Sequence, residues 1–138
     1  MPSLLDVRPD ECERLLRSQH VGRFALSTPD GLEIVPVNYA VRDGAVRAHT
    51  AADGILARFG HGQELVFQVD LLDHERWSGW SVIARGTGVV GELDRDDVVP
   101  LGARPRPWAA GERNHEIRLE WDQLTGRRLG GPIRGVTR

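Results

Sequence analysis

The feature that most constrains the fold is a series of short β-type segments separated by turn signals. A Thr-Pro-Asp-Gly turn at positions 28–31 and the hairpin signal Asp43-Gly44 divide the first such stretch into three strands. Pro36 lies inside the second strand and cannot donate to a β ladder, so it marks an edge, a bulge or an interruption of pairing. The predicted strands are Val21 to Ser27, Leu32 to Val41, Ala45 to Thr50, Glu64 to Leu72, Trp80 to Val90 and His115 to Trp121, with Leu124 to Leu129 as a further candidate.

Helical signals are few and short. Pro9 to Ser18 carries apolar residues at helical spacing, and proline suits the first position of a helix. Asp53 to Phe59 is predicted to be a second helix with Asp53 as its N-cap, and Arg95 to Leu101 a third. About six hairpin-connected strands with only short helices favour a closed antiparallel β-barrel over a doubly wound sheet. The fold class predicted for residues 1–138 is therefore mainly β, in one domain.

One predicted strand also indicates how the barrel is covered. The segment "ELVFQVDLL", residues 64–72, is apolar at nearly every position, whereas a half-buried strand alternates apolar and polar residues. This pattern predicts burial on both faces, with the barrel interior on one side and a helix or a partner subunit on the other. A homodimer is the natural consequence for a small barrel with a second apolar face.

Composition and charge exclude several classes of protein. Of the residues, 40% are hydrophobic and 28% are charged, as in an ordinary globular domain, and no apolar run is long enough to span a membrane. The N-terminus has no secretion signal, and the single cysteine, Cys12, predicts a reducing, cytoplasmic location. A net charge of −2 argues against nucleic acid as a partner. All 18 cationic residues are arginines, so any bound phosphate must be met by arginine, backbone N–H groups or hydroxyls.

Motifs for protein-based chemistry are missing from the sequence. The five histidines form no HExxH pair or compact ligand run, so no metal site is predicted, and neither GxSxG nor GxxxxGK[ST] occurs. No nucleophile with an adjacent base can be recognised, and no catalytic residue is assigned. If the protein is an enzyme, the difficult chemistry belongs to a cofactor.

Three stretches together carry a resemblance to a known family. They are "VGRFALSTPDGLEIVPVNYAVRDGAVRAHTAADG", "ELVFQVDLLDHERWSGWSVIARGTGVV" and "RNHEIRLEWDQLTGRRL". In their order and spacing, from Glu11 to Leu129, the chain resembles the pyridoxamine 5′-phosphate oxidase-like split-barrel family, in its small single-domain branch. The resemblance implies a split β-barrel homodimer that binds FMN at the dimer interface. Some relatives bind the deazaflavin F420 instead, and haem-linked members are a third alternative.

The resemblance also implies which residues contact the cofactor. The segment beneath the flavin ring corresponds to Pro36, Val37 and Asn38, and an Asn side chain can both donate to and accept from a pyrimidine edge. The turn into the next strand corresponds to Trp80 and Ser81, which would approach the ring or its ribityl chain. In relatives, residues similar to Trp108 and His115 reach the flavin from the second subunit.

The phosphate segment departs from the family pattern. Thr50 is retained, but His49 stands where the family has arginine and Ile55 where it has lysine. Arg58, three residues after Ile55, is predicted to reach back to the phosphate from the same helix face. The resemblance therefore implies an FMN-dependent oxidoreductase that transfers hydride to or from a small planar substrate, with weakened FMN binding. The alternatives are an F420-dependent reductase and a non-catalytic, ligand-binding split-barrel dimer.

Overall fold

The fold is an antiparallel sheet of seven strands with two short helices, seen in a computed structural model that describes residues 6–93 and 114–130. The predicted helix Arg95 to Leu101 and the loop residue Trp108 lie outside the described residues. The elements are α1 (Pro9–Arg17), β1 (Val21–Thr28), β2 (Gly31–Asn38), β3 (Ala40–Arg42), β4 (Ala45–Thr50), α2 (Ile55–Phe59), β5 (Glu64–Asp73), β6 (Ser78–Glu92) and β7 (His115–Gly130).

The strand order, β2-β1-β5-β6-β7-β4-β3, shows how the sheet curls. Its two edge strands, β2 and β3, follow one another in the chain and are separated only by Tyr39. Because the chain passes directly from one edge to the other, the sheet bends into a half-barrel. The predicted strand Leu32 to Val41 is thus two strands that pair with different neighbours: β2 with β1 and β3 with β4.

The turns predicted from the sequence are confirmed. Asp43 and Gly44 have φ angles of 53° and 70°, and positive φ at both central residues is what a two-residue type I′ hairpin requires. Pro36 lies on β2, which is an edge strand of the sheet, opposite Arg23 of β1. Of the three alternatives for this proline, an edge, a bulge or an interruption of pairing, the structure therefore shows the edge.

Two element boundaries differ from the sequence-based expectation. Helix α2 begins at Ile55, and its N-cap is Gly54 without a side-chain cap, so Asp53 does not have the predicted capping role. Residues 115–121 and 124–129 belong to one strand, because β7 continues past a bulge at which Arg85 pairs with Gln123 and Gly86 with Trp121. A bulge keeps two halves of a strand in one ladder while bending it.

The core fills the concave side of the sheet, which we call the inner face. Phe67 on β5 is fully buried, with its ring centroid 4.9 Å from that of Phe24 and 4.7 Å from that of Tyr39. Helix α1 covers this face with Cys12, Leu15 and Leu16, which are all buried. The Tyr39 hydroxyl donates to the Leu16 carbonyl and so connects the β2–β3 junction to α1.

The opposite side of the sheet, the outer face, is only half covered within one chain. On β5 the inner residues Leu65, Phe67 and Val69 are buried, whereas the outward Val66 and Gln68 are half-buried. This strand therefore has one fully buried face and one face that is only partly covered within the chain. In the described part of the chain no helix is long and apolar enough to cross a membrane.

Candidate functional site

Strand alternation divides the predicted site residues between the two faces of the sheet. Successive side chains of a strand point to opposite faces, so neighbours in sequence cannot share a face. The residues on the outer face are Pro36, Asn38, His49 and Ser81, whereas Val37, Thr50, Trp80 and His115 belong to the inner face. Arg58 lies on α2 instead.

The β2–β3 junction brings the first outer-face residues together. Ala40 of β3 pairs with Arg47 of β4, whereas Asn38, two residues earlier, is still paired with Val21 of β1. On the other side of β4, His49 is paired with Glu116 of β7. His49 and Glu116 are thus neighbours on the outer face, and Asn38 ends β2 on the same face, two residues after the exposed Pro36.

A half-buried ion pair lies in the same region. The Arg47 guanidinium donates to Glu116 Oε1 at 2.9 Å, and the two side chains are only 12% and 20% exposed. The Arg47 Nε–H group also donates to the Arg42 carbonyl at 3.3 Å. Alternation along β4 puts Arg47 and His49 on one face, but sequence reasoning assigned no role to Glu116. Strand pairing between β4 and β7, which are far apart in sequence, creates this contact.

A second cluster of polar side chains lies on strands β1, β5 and β6, on the other side of Pro36. The side-chain amide of Gln68 donates to Asp70 Oδ2 at 2.8 Å and to Ser81 Oγ at 3.3 Å, while its oxygen accepts from Arg23 at 3.4 Å. Arg23 in turn is the register partner of Pro36. Only Ser81 was a predicted site residue of this group. The signal for Gln68 was its position as the one neutral polar residue in the apolar segment 64–72.

Thr50 and helix α2 are the parts of the chain for which the sequence predicts a phosphate site. Thr50 is 5% exposed, and its hydroxyl donates to the Ala51 carbonyl at 3.4 Å. A methyl group on Gly54 would stand 3.0 Å from that hydroxyl oxygen, so the turn packs closely over it. Arg58 is exposed, with its guanidinium 4.8 Å from the ring centroid of Phe59. Thr50 and Arg58 therefore have contacts within the chain.

Trp80 lines an open cavity at one end of the sheet. The cavity has a volume of about 360 Å³, and its lining includes Leu71, Asp73, Ser78, Trp80, Arg128 and Leu129. Trp80 pairs with Arg128 near the start of β6, whereas His115 pairs with Glu92 at its end. These two positions are on the order of 40 Å apart along the strand. One chain therefore does not bring Trp80 and His115 to a common site.

His115 is half-buried, and its Nδ1 lies 2.9 Å from the side-chain oxygen of Asn114. Within residues 6–93 and 114–130, no group of three His, Cys, Asp or Glu side chains is placed to hold a metal ion. The outer face around β2 is thus the region that brings together the largest share of the predicted site residues. It offers amide, imidazole, hydroxyl and guanidinium groups beside an exposed apolar strand.

Comparison with known proteins identifies the family of this chain. Residues 8–128 match the family model described as pyridoxamine 5′-phosphate oxidase. The chain belongs to the pyridoxamine 5′-phosphate oxidase family. It is also 28% identical over 132 residues to an uncharacterized protein of Mycobacterium tuberculosis, with 91% of this chain and 86% of that protein covered.

Solved structures related to the family share the split-barrel fold. The FAD-binding protein of Mycobacterium smegmatis is 26% identical to this chain, with a TM-score of 0.68 over 91% of this chain and 97% of that one. A FAD-binding protein of Mesorhizobium loti is 23% identical, with a TM-score of 0.66 over 91% of this chain and 96% of that one. The fold predicted from the sequence, a mainly β split barrel, is therefore confirmed.

Proposed function

We propose that this protein binds a flavin nucleotide on the outer face around β2 and that the bound flavin exchanges hydride with a small planar substrate. The observation that carries the proposal is the agreement between family and geometry. The relative from M. smegmatis, described as FAD-binding, matches 91% of this chain. In this chain the outer face places Pro36, Asn38 and His49 around one strand junction.

The groups on this face fit the parts of a flavin. Asn38 and the amide of Gln68 have both donors and acceptors, as the pyrimidine edge of the ring requires. Pro36 and Ile34 give an exposed apolar surface for a flat ring, and Arg23 and Arg47 are guanidinium groups of the same face for a phosphate group. FMN and FAD both meet these requirements. F420 stays an alternative, because its phosphate and carboxylate groups would also need a cation.

Each residue has a defined part in this proposal. The isoalloxazine ring, when bound, supplies the hydride chemistry. Asn38 orients the ring, and the Gln68 amide is held in place for this face by Asp70 and Arg23. His49 adds an imidazole to the same face, and an imidazole can donate or accept a hydrogen bond. A non-catalytic flavin carrier is the second candidate. It is favoured by the ion pair between Glu116 and Arg47, which occupies a guanidinium that a cofactor phosphate would otherwise contact.

A binding titration tests the proposal. Purified protein freed of any cofactor is titrated with riboflavin, FMN, FAD and F420, and binding is followed by quenching of ligand fluorescence. We expect saturable binding of one flavin per subunit and a loss of at least about tenfold in Asn38→Ala, which removes one orienting side chain worth more than 1 kcal/mol. Gln63→Ala, which removes an amide from an exposed turn, is the matched control.

The outcomes separate the candidates. If none of the four ligands binds in the millimolar range, the proposal is wrong. If flavin binds but a reduced nicotinamide cofactor never bleaches its absorbance under anaerobic conditions, the carrier is the better description. Equal losses of flavin affinity in Asn38→Ala and Gln63→Ala would show that the flavin ring does not lie at the β2–β3 junction.

The same face leads us to propose a homodimer. Leu32 and Ile34 on edge strand β2 are 82% and 68% exposed and point to the same side as Pro36. Full burial of one such side chain is worth about 1.5–3 kcal/mol, so covering both in two copies is a substantial driving force.

The dimer makes a direct prediction. Ile34→Arg places a charge in the proposed interface and should convert the protein to a monomer, as measured by light scattering after gel filtration. Ile55→Arg changes another exposed isoleucine, on α2, and should leave the oligomeric state unchanged. A wild-type protein that is monomeric at high micromolar concentration would contradict the prediction.

A further inference from the structure

The inner face of the sheet ends in small residues beside the β5–β6 hairpin. Its last two rows, read across β5, β6 and β7, are Leu71–Trp80–Arg128 and Asp73–Ser78–Gly130. Gly130 has a φ angle of 65°, and a methyl group on it would stand 1.8 Å from the Trp77 carbonyl oxygen. No larger residue can therefore occupy this corner. The cavity of about 360 Å³ that the two rows line stays open because the backbone leaves no room for a side chain there.

Trp80 presents an unpaired hydrogen-bond donor to this cavity. The residue is only 7% exposed, and within the described part of the chain its indole N–H donates to no acceptor. A buried indole N–H usually has a hydrogen-bond partner. Trp80 is also not among the described residues whose unpaired polar atoms are fully enclosed by protein. Its N–H group is thus in contact with open space, and the open space that Trp80 lines is the cavity.

The Arg128 guanidinium is a second donor at the rim of the cavity. Arg128 Nη2 lies 3.7 Å from Glu11 Oε1, which is an ion-pair contact but too long for a hydrogen bond. Both carboxylate oxygens of Glu11 already accept from Arg14, one of them at 2.9 Å. Among residues 6–93 and 114–130, Arg128 donates no hydrogen bond. Its N–H groups are therefore available to an oxygen atom of a ligand.

The remaining lining determines what kind of ligand fits. Leu71 and Leu129 give apolar walls that are 51% and 38% exposed. Asp73 also lines the cavity, and its Oδ1 accepts from the backbone N–H groups of Glu75 and Arg76. This carboxylate opposes a second negative charge in the same space. The lining therefore suits a ligand with an apolar body and a single anionic group.

From these contacts we infer a binding site for a small monocarboxylate with an apolar body, whose carboxylate accepts from the Trp80 indole and from the Arg128 guanidinium. A carboxylate oxygen makes shorter and stronger hydrogen bonds with a guanidinium than a neutral oxygen does. The apolar body covers Leu71 and Leu129 and removes their surface from water. A volume of about 360 Å³ lies at the lower end of the range of about 300–1,000 Å³ for ligand cavities, which favours a ligand with one ring.

The site is tested by NMR with phenylacetate as the probe, in isotopically labelled protein that carries no cofactor. The chain has four tryptophans, and the indole N–H signal that is missing in Trp80→Phe belongs to Trp80. We expect phenylacetate to shift this signal saturably and to leave the signal of Trp121, which does not line the cavity, in place. Phenylacetamide has the same shape without the charge and should bind at least about fivefold more weakly.

Two arginine variants assign the contact with the carboxylate. Arg128→Gln should weaken binding of phenylacetate at least about fivefold and change binding of phenylacetamide less than about twofold, because only the charged ligand loses an ionic partner. Arg127→Gln is the matched control, since alternation along β7 places this arginine on the outer face beside Ser81. It should leave both affinities unchanged. In Trp80→Phe, binding is followed through the backbone amide of Gly79 and should be at least about threefold weaker.

Three results would overturn the site. It is wrong if phenylacetate at about 10 mM, enough to populate a site with a millimolar Kd, leaves the Trp80 signal of the folded protein unshifted. It is wrong if Arg128→Gln binds phenylacetate like wild type, and also if the Trp121 signal shifts as much as that of Trp80. The cavity lies on the inner face and the probe carries neither a flavin ring nor a phosphate. Failure of this site therefore leaves the flavin proposal standing, and failure of flavin binding leaves this site standing.

Discussion

Replacing Gly22 by Ala is expected to lower the free energy of unfolding by about 3 kcal/mol, the upper part of the usual range for overpacking a core. A methyl group on Gly22 would stand 2.2 Å from Phe67 Cζ and 2.9 Å from the Gln68 carbonyl oxygen. The Phe67 ring cannot move aside easily, because it is fully buried between Phe24 and Tyr39. In an open extended strand the same substitution is neutral or slightly stabilising.

Urea unfolding followed by tryptophan fluorescence measures this effect. Gly91→Ala is the matched control, since a methyl group on this glycine of β6 would meet nothing within 4 Å. A Phe67→Leu background tests the cause, because leucine lacks the Cζ atom. There the cost of Gly22→Ala should fall by at least about 1 kcal/mol, as contacting residues couple in double-mutant cycles. Strict additivity would show that the clash is not with the ring.

The second large effect is expected at alkaline pH and depends on Tyr39. Burial raises the pKa of the Tyr39 phenol well above its usual range. The hydroxyl also donates to the Leu16 carbonyl, a bond that exists only for the neutral form. The folded state therefore keeps its proton at a pH at which the unfolded chain, with a phenol pKa of about 10, has released it.

The sign of the linkage follows from this proton count. Below about pH 10 both states are protonated and the contribution of the buried phenol is fully present; above it the unfolded state binds fewer protons, so stability falls as pH rises. The loss reaches about 1.4 kcal/mol at pH 11 and grows by the same amount per further pH unit until the folded pKa is reached. Burial also raises the pKa of the Cys12 thiol, which adds a loss of the same sign.

Comparison with Tyr39→Phe isolates the tyrosine, because Cys12 is common to both proteins. At pH 7 we expect the variant to be less stable by about 1 kcal/mol, from the lost hydrogen bond. Above pH 10 its stability should fall less steeply than that of wild type, so the two curves converge. Tyr39 is the only tyrosine of the chain, so phenolate absorbance near 295 nm follows it alone. Titration of the folded protein with an ordinary tyrosine pKa would contradict the prediction.

The secondary structure could be predicted largely from the sequence because its signals are local. Alternation of apolar residues and the turns at 28–31 and at Asp43-Gly44 give the strands and hairpins of the sheet. The predicted capping by Asp53 was wrong, since the chain starts α2 two residues later with Gly54 as its N-cap. The N-cap is fixed by where the backbone enters helical angles, and here that residue is Gly54, which packs closely over the Thr50 hydroxyl.

The candidate site shows the same division. Asn38, His49 and Ser81 are site residues predicted from the sequence by resemblance, and alternation alone assigns His49 and Thr50 to opposite faces. Glu116 and Arg23 were missed because their relation to the site comes from strand pairing. Register places Glu116 beside Arg47, although 69 positions separate them. A sequence pattern has a period but no register between distant strands.

The sequence by itself determined a mainly β fold with its strands, its turns and the faces of its side chains, because each depends on neighbouring residues. The tertiary structure decided which strands lie side by side. It thereby decided that β2 and β3 become the two edges of a curled sheet, that Phe67 covers Gly22, and that Glu116 meets Arg47. The physical reason is that long-range pairing is chosen by burial of the whole core, to which every strand contributes.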